Sequence, residues 1–135
     1  RTSLMKTKAL ALALLAAASF AAGPALSHHS FAAVYDADQE VTIEGKVVQF
    51  QYRNPHSVVH VLAKDSSGVE KRYAVEWQGA TQLGAAGISA ATVHAGDAVV
   101  VIGHPGRVAA ENRLLMLELK RPSDDFSWNN RGGLN

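Results

Sequence analysis

The sequence predicts an all-β domain: a small five-stranded OB-like barrel with a short helix between strands three and four, preceded by a signal peptide. Three observations carry that expectation. Beyond residue 40 the apolar residues fall into five short runs, several of them alternating with polar ones, divided by Gly, Pro, Asn and Asp. Between the third and fourth runs lies an alanine-rich stretch, "GATQLGAAGISAATVHAGD" (79–97), long enough for one short helix and a loop. Three strands, a helical insertion and two more strands is the order of the OB-type barrel. A small sandwich of the same strands is the rival arrangement.

The chain opens with a different character. "MKTK" (5–8) is basic, "ALALALLAAASFAAG" (9–23) is apolar and uncharged, and "PALS" (24–27) ends the run. These are the three regions of a secretory signal peptide. The apolar run is shorter and richer in alanine than a comfortable membrane span of about 20 residues. Ala25 and Ser27 satisfy the small-x-small cleavage rule, which places the cut after Ser27 and starts the mature chain at His28. Arg1–Leu4 read as residues upstream of a start at Met5. The expected organisation is therefore a signal peptide over 1–27, a barrel over 28–121, and a flexible tail over 122–135 with Phe126 or Trp128 pinned to the body.

Within the barrel, "EVTIEGKVVQFQY" (40–52) alternates Val41, Ile43 and then Val47 around Gly45. A glycine inside a strand marks a bulge or a tight bend of the kind barrel corners need. "HSVVHVLAKD" (56–65) and "EKRYAVEW" (70–77) flank the turn "DSSG" (65–68) as a hairpin. "DAVVVIGHP" (97–105) follows a Gly96-Asp97 turn and is apolar enough to be buried on both sides, and "NRLLMLELKR" (112–121) completes the set.

Composition narrows the function. The formal charge of the whole chain is +1, and removing residues 1–27 takes away three basic groups and no acidic one, leaving ten against twelve. A domain with that balance lacks the basic stripe that neutralises phosphates, so nucleic acid is not expected as a partner. Nothing polybasic is present for an anionic membrane surface, and no stable membrane anchor is expected after cleavage. The chain has no cysteine. An exported protein of this kind has neither disulfides nor a lipid-bearing cysteine, and depends on core packing and bound ligands. The location expected is periplasmic or secreted.

Six histidines in a chain this small raise the question of a metal. Alternation along strand two puts His56, Val58, His60 and Leu62 on one face and Ser57, Val59, Val61 and Ala63 on the other, more apolar one. His56 and His60 then project outward, but about 13 Å apart along the strand, too far for one ion. His56 is the preferred ligand, since "RNP" (53–55) stiffens its approach and Asn54 stands ready to orient its ring. On strand three Tyr73, Val75 and Trp77 face the core, which turns Glu76 to the side of His56 and His60 as a ligand or as a partner of a histidine. His94 and His104 read as surface residues. At the mature start, the α-amine and imidazole of His28 form a chelate, and a remote imidazole adds a third nitrogen in a plane suited to Cu(II). A cut one residue earlier leaves Ser27-His28-His29, whose third-position histidine also favours copper or nickel. For each histidine the alternative is a solvated or hydrogen-bonded side chain with no ligand.

"HHSFAAVYD" behind a signal peptide, with "VTIEGKVVQFQYRNPHS", "YAVEW" and "HAGDAVVVIGHP", resembles the small exported bacterial proteins grouped as domain of unknown function 6152. The resemblance runs from His28 to about Leu119, and the HHSF start and the NPHS segment are its most specific parts. It implies export and a small β-barrel, with no reaction attached. The matching polar positions are His28, His29, Ser30, Asp36, Asn54, His56 and Glu76. Val34 stands where the family usually has an acidic residue, leaving Asp36 as the nearby carboxylate, and Val58 replaces a frequent aromatic.

The functional expectation is an exported metal-binding protein, copper first, with His28, His29 and His56 as ligands, Glu76 beside them and His60 as a further candidate. A redox enzyme built on the terminal histidines is a narrower version, without a recognisable substrate groove. The contrasting expectation is a metal-free barrel that holds a small molecule, sugar, peptide or envelope protein partner on its strand two–three face. No Ser-His-Asp spacing, phosphate-cradling loop or HExxH helix points to a hydrolase or nucleotide enzyme.

Overall fold

Strand β1 (Val41–Gln51) is long because it serves two neighbours in turn. Its first half, Val41–Lys46, pairs antiparallel with β4 (Ala98–Pro105), and its second half, from Gly45 on, pairs with β2 (Val58–Lys64). The changeover falls at Gly45, where a Cβ would stand 2.0 Å from the Leu62 carbonyl oxygen, so no side chain fits. The register slips between Val47 and Gln49, a bulge that adds to the bend. The glycine expected to mark a barrel corner does so.

The computed structural model describes residues 31–131. Residues 31–34 are helical, and residues 34–131 belong to the compact unit that forms the barrel. β2 pairs along its whole length with β3 (Glu70–Glu76). β3 then meets the start of β5 (Arg113–Arg121) in parallel, Ala74 opposite Arg113 and Glu76 opposite Leu115. β5 returns antiparallel to β4, which closes the circuit β1–β2–β3–β5–β4. This is the closed five-stranded barrel of the OB type, with one short helix, α1 (Ala80–Ala85), between β3 and β4. Gly79 begins that helix where the Pro55 carbonyl oxygen would lie 2.4 Å from any Cβ. The Tyr52 hydroxyl lies 2.9 and 3.0 Å from the carbonyl oxygens of Ala80 and Ile88, tying helix and following loop to the end of β1.

Alternation sorts the side chains as expected. Val59, Val61, Ala63, Val75 and Trp77 face inward with Val47, Val101, Leu83, Leu114 and Leu119. Two regions differ from expectation. Where a loose tail was expected from residue 122, with Phe126 or Trp128 pinned to the body, residues 122–125 turn and Phe126–Asn129 form a sixth strand, β6, against the second half of β5. Its Trp128 ring meets buried Trp77 edge-on at 5.1 Å, and Phe50 packs on the same indole at 5.7 Å. Apolar Phe126 and Trp128, alternating with polar Ser127 and Asn129, carry the strand signal inside a polar segment. His104 is likewise no surface residue. It belongs to β4, is 8 % exposed, and holds the Gln39 carbonyl oxygen at 2.7 Å through Nδ1. Among the described residues no helix is long and apolar enough to cross a membrane.

A candidate site built on Glu76

Ser57 fixes the approach to the site. It is fully buried, its amide donates to the Gln78 carbonyl, its carbonyl accepts from the Trp77 amide, and its hydroxyl bonds the Arg53 carbonyl at 3.1 Å. Those bonds bring the bend before β2 against the end of β3, and so set His56 next to Glu76. His56 Nδ1 stands 2.6 Å from Glu76 Oε1, with the imidazole 41 % exposed and the carboxylate 14 %. The sequence paired these two by alternation alone, and the structure brings them into contact.

The other carboxylate oxygen is held from inside. Tyr35 is 2 % exposed, and its hydroxyl donates a hydrogen bond to Glu76 Oε2. Its place is set by a bridge to Gly106 and by the Asp36 amide donating to the Pro105 carbonyl at 2.9 Å. Burial first, and then the carboxylate beside it, push the Tyr35 phenol above its ordinary value, so it stays protonated and keeps donating. Arg113, first residue of β5, brings Nη2 to 3.4 Å from the same Oε2 and lays its guanidinium over the Tyr35 ring at 5.5 Å. Glu76 is thus the hub of a cluster drawn from four parts of the chain.

The remaining candidates sort differently. His28, His29 and Ser30 lie outside the described residues. His60 shares the outward face but sits opposite Gln49 and Ala74, two pairs along from the Val58–Glu76 pair. Burial, and then the charges of Arg72 and Arg53, push its imidazole below the ordinary value. Asn54, expected to orient a histidine ring, instead joins the helix: Oδ1 accepts from the Thr81 amide and Nδ2 donates to the Thr81 hydroxyl, both at 3.1 Å. Asp36 closes a local turn with the Asp38 amide and the Gln39 side chain. Among the described residues no three His, Cys, Asp or Glu groups gather to hold a metal ion. Sequence reasoning missed Tyr35 and Arg113. The aromatic-acid pair "YD" and a cation heading an apolar strand were the available signals, and neither reveals that both reach Glu76.

Fold and site together define a class: small closed OB-type barrels that carry a glutamate-centred polar cluster on the outer wall, at the end of β3. The model of a family of unknown function, DUF6152, matches residues 15–114, and the chain belongs to that family. No curated protein and no solved structure matches this chain.

Proposed function

We propose that the protein is an exported metal-binding protein, for copper before other ions, in which His56 is a ligand and Glu76 orients it. One observation carries this reading: the 2.6 Å contact of His56 Nδ1 with Glu76 Oε1. A histidine that ligates a metal typically donates its other ring N–H to a carboxylate, which fixes the tautomer and makes the ligating nitrogen more basic. A neutral imidazole that donates from Nδ1 to the carboxylate presents its lone pair at Nε2. Glu76 itself is committed to Tyr35, Arg113 and His56, so its part is to hold the ring rather than to bind the ion. His56 supplies one nitrogen, and the α-amine and imidazole of His28, with His29 beside them, supply the others once cleavage has freed the terminus. Cu(II) suits nitrogen donors in a tetragonal plane. Export is supported by the basic, apolar and small-residue pattern of residues 5–27.

The test is copper titration of the protein beginning at His28, followed by electron paramagnetic resonance and thermal unfolding. One equivalent should give a nitrogen-ligated spectrum and raise the melting temperature, since a ligand specific to the native state stabilises it by mass action. Glu76→Gln should weaken binding about 10- to 100-fold, the usual effect of losing the partner of a metal-bound histidine. Retention of residues 1–27 should weaken it as well. No thermal effect of copper, or unchanged binding in His56→Ala, overturns the proposal.

A further inference from the structure

A second feature lies beside the Glu76 cluster and uses neither His56 nor Glu76. β3 has β5 as a neighbour only from Ala74 onward, because β5 begins at Arg113. Before that point the wall opens into a cleft of about 380 Å³ between the first half of β3 and the β4–β5 connection. Its rim carries three cations, Lys71, Arg107 and Arg113, against one carboxylate, Asp36. That carboxylate already accepts from the Asp38 amide at 3.2 Å and the Gln39 side chain at 3.1 Å. Arg113 has five donors, and its carboxylate contacts, to Glu76 and Glu111, are long at 3.4 and 3.7 Å. Lys71 is the more firmly held, at 2.7 Å from Asp65.

Gln39 and Asn112 add two neutral polar side chains to the lining, and the remaining side chains are largely apolar. Leu114 is buried at the base, with Val41 and Tyr73 half-buried beside it. Val108 stands at the lip and is 56 % exposed, one of two large apolar side chains so exposed among the described residues. A concave surface that joins apolar side chains to convergent polar groups can hold a small molecule, and this cleft, with polar and apolar surface in similar measure, lies at the small end of the size range for such sites. An excess of guanidinium groups selects an anion, carboxylate or phosphate, by charge-assisted and bidentate hydrogen bonds.

We propose that this cleft binds a small organic anion, its carboxylate or phosphate between Arg107, Arg113 and Lys71 and its apolar body against Val41, Tyr73, Leu114 and Val108. The inference goes beyond the metal reading, and each stands or falls without the other. Benzoate, phenyl phosphate, inorganic phosphate and benzyl alcohol are titrated into the metal-free full chain, and amide resonances are followed by NMR. Benzoate or phenyl phosphate should saturably shift the amides of Lys71, Arg107 and Val108, and raising NaCl to about 0.5 M should weaken the effect by screening. The neutral alcohol and inorganic phosphate should each bind at least about tenfold more weakly, and the Arg107→Gln/Lys71→Gln double variant should lose about tenfold for the organic anion. Equal binding of the alcohol, equal binding of inorganic phosphate, shifts confined to another region, or full affinity in the folded double variant each overturn the proposal.

Discussion

Glu76 occupies the last position of β3, where the outward-facing side chain meets the bend before β2 on one side and the start of β5 on the other. A lone carboxylate at 14 % exposure would be poorly solvated, and here each oxygen has its own partners, His56 on one and Tyr35 with Arg113 on the other. The partnership predicts a stability signature independent of any ligand. Tyr35→Phe should cost about 1 kcal/mol, the net worth of an ordinary hydrogen bond. Glu76→Ala should cost about 2 kcal/mol, because it removes the acceptor of a buried hydroxyl. The double variant should lose less than the sum of the two, since both act on one bond. Urea unfolding of the three variants measures all of this, and strict additivity would show that the bond contributes nothing. Of this cluster, His56 and Glu76 were readable by counting alternation along two adjacent strands. Tyr35 and Arg113 were not, because their nearness to Glu76 depends on pairings that span 41 and 37 residues of chain.

At the scale of an element, β1 shows how one residue sets architecture. A strand that hydrogen-bonds to two partners in succession must bend where it passes from one to the other, and the inner side of that bend has no room for a side chain. In Gly45→Ala the new methyl would meet the Leu62 carbonyl oxygen at 2.0 Å and the Ala63 methyl at 2.9 Å. Backbone must move to relieve it. The expected loss is about 3 kcal/mol, at the upper end of what overpacking causes, and thermal unfolding should show it as a drop of more than about 10 °C. An unchanged melting temperature would mean that the corner is soft. Position 45 was legible as special from the sequence. The bulge after Val47 was not, because nothing in "VVQ" distinguishes an extra residue from an ordinary one. The sixth strand was hidden by its surroundings: four alternating residues inside a polar, Gly- and Asn-rich segment give a weak periodic signal, and Trp77 supplies the surface that fixes them.

For the molecule as a whole, closure of the barrel is secured at both ends of β5. Arg113 begins that strand and joins the Glu76 cluster. Arg121 ends it, held to Asp124 through two hydrogen bonds of 2.9 and 2.8 Å, to Asp97 at 2.7 Å and to the Thr92 carbonyl at 2.6 Å. Asp97 immediately precedes β4, so this network ties the last turn before β4 to the end of β5. The His94 amide, and then the Arg121 guanidinium, hold the Asp97 carboxyl below its ordinary value of 3.8 despite an opposing effect of burial. The sign follows directly. A carboxyl whose value is lowered by folding adds stability that is fully present above its unfolded value and disappears as pH falls through the folded one. Melting temperature should therefore fall on acidification below about pH 4. Asp97→Asn should melt lower than the parent at neutral pH and show a shallower decline in acid. Parallel acid profiles for the two proteins would remove Asp97 from the account.

Some of this protein was determined locally. The order of strands, the inward and outward faces of β2 and β3, the corner at Gly45 and the helical insertion follow from period, turn chemistry and glycine, which act over a few residues and are written in the chain. The parallel contact of β3 with β5 is of another kind. It has no local signature, because it arises only when the sheet curls far enough for its two edges to meet. That one junction brings Arg113 to Glu76, and the end of β4 brings Tyr35 beneath them. It also leaves the first half of β3 without β5, and so opens the cleft. Alternation fixed which way His56 and Glu76 point, whereas closure of the barrel decided what else they meet.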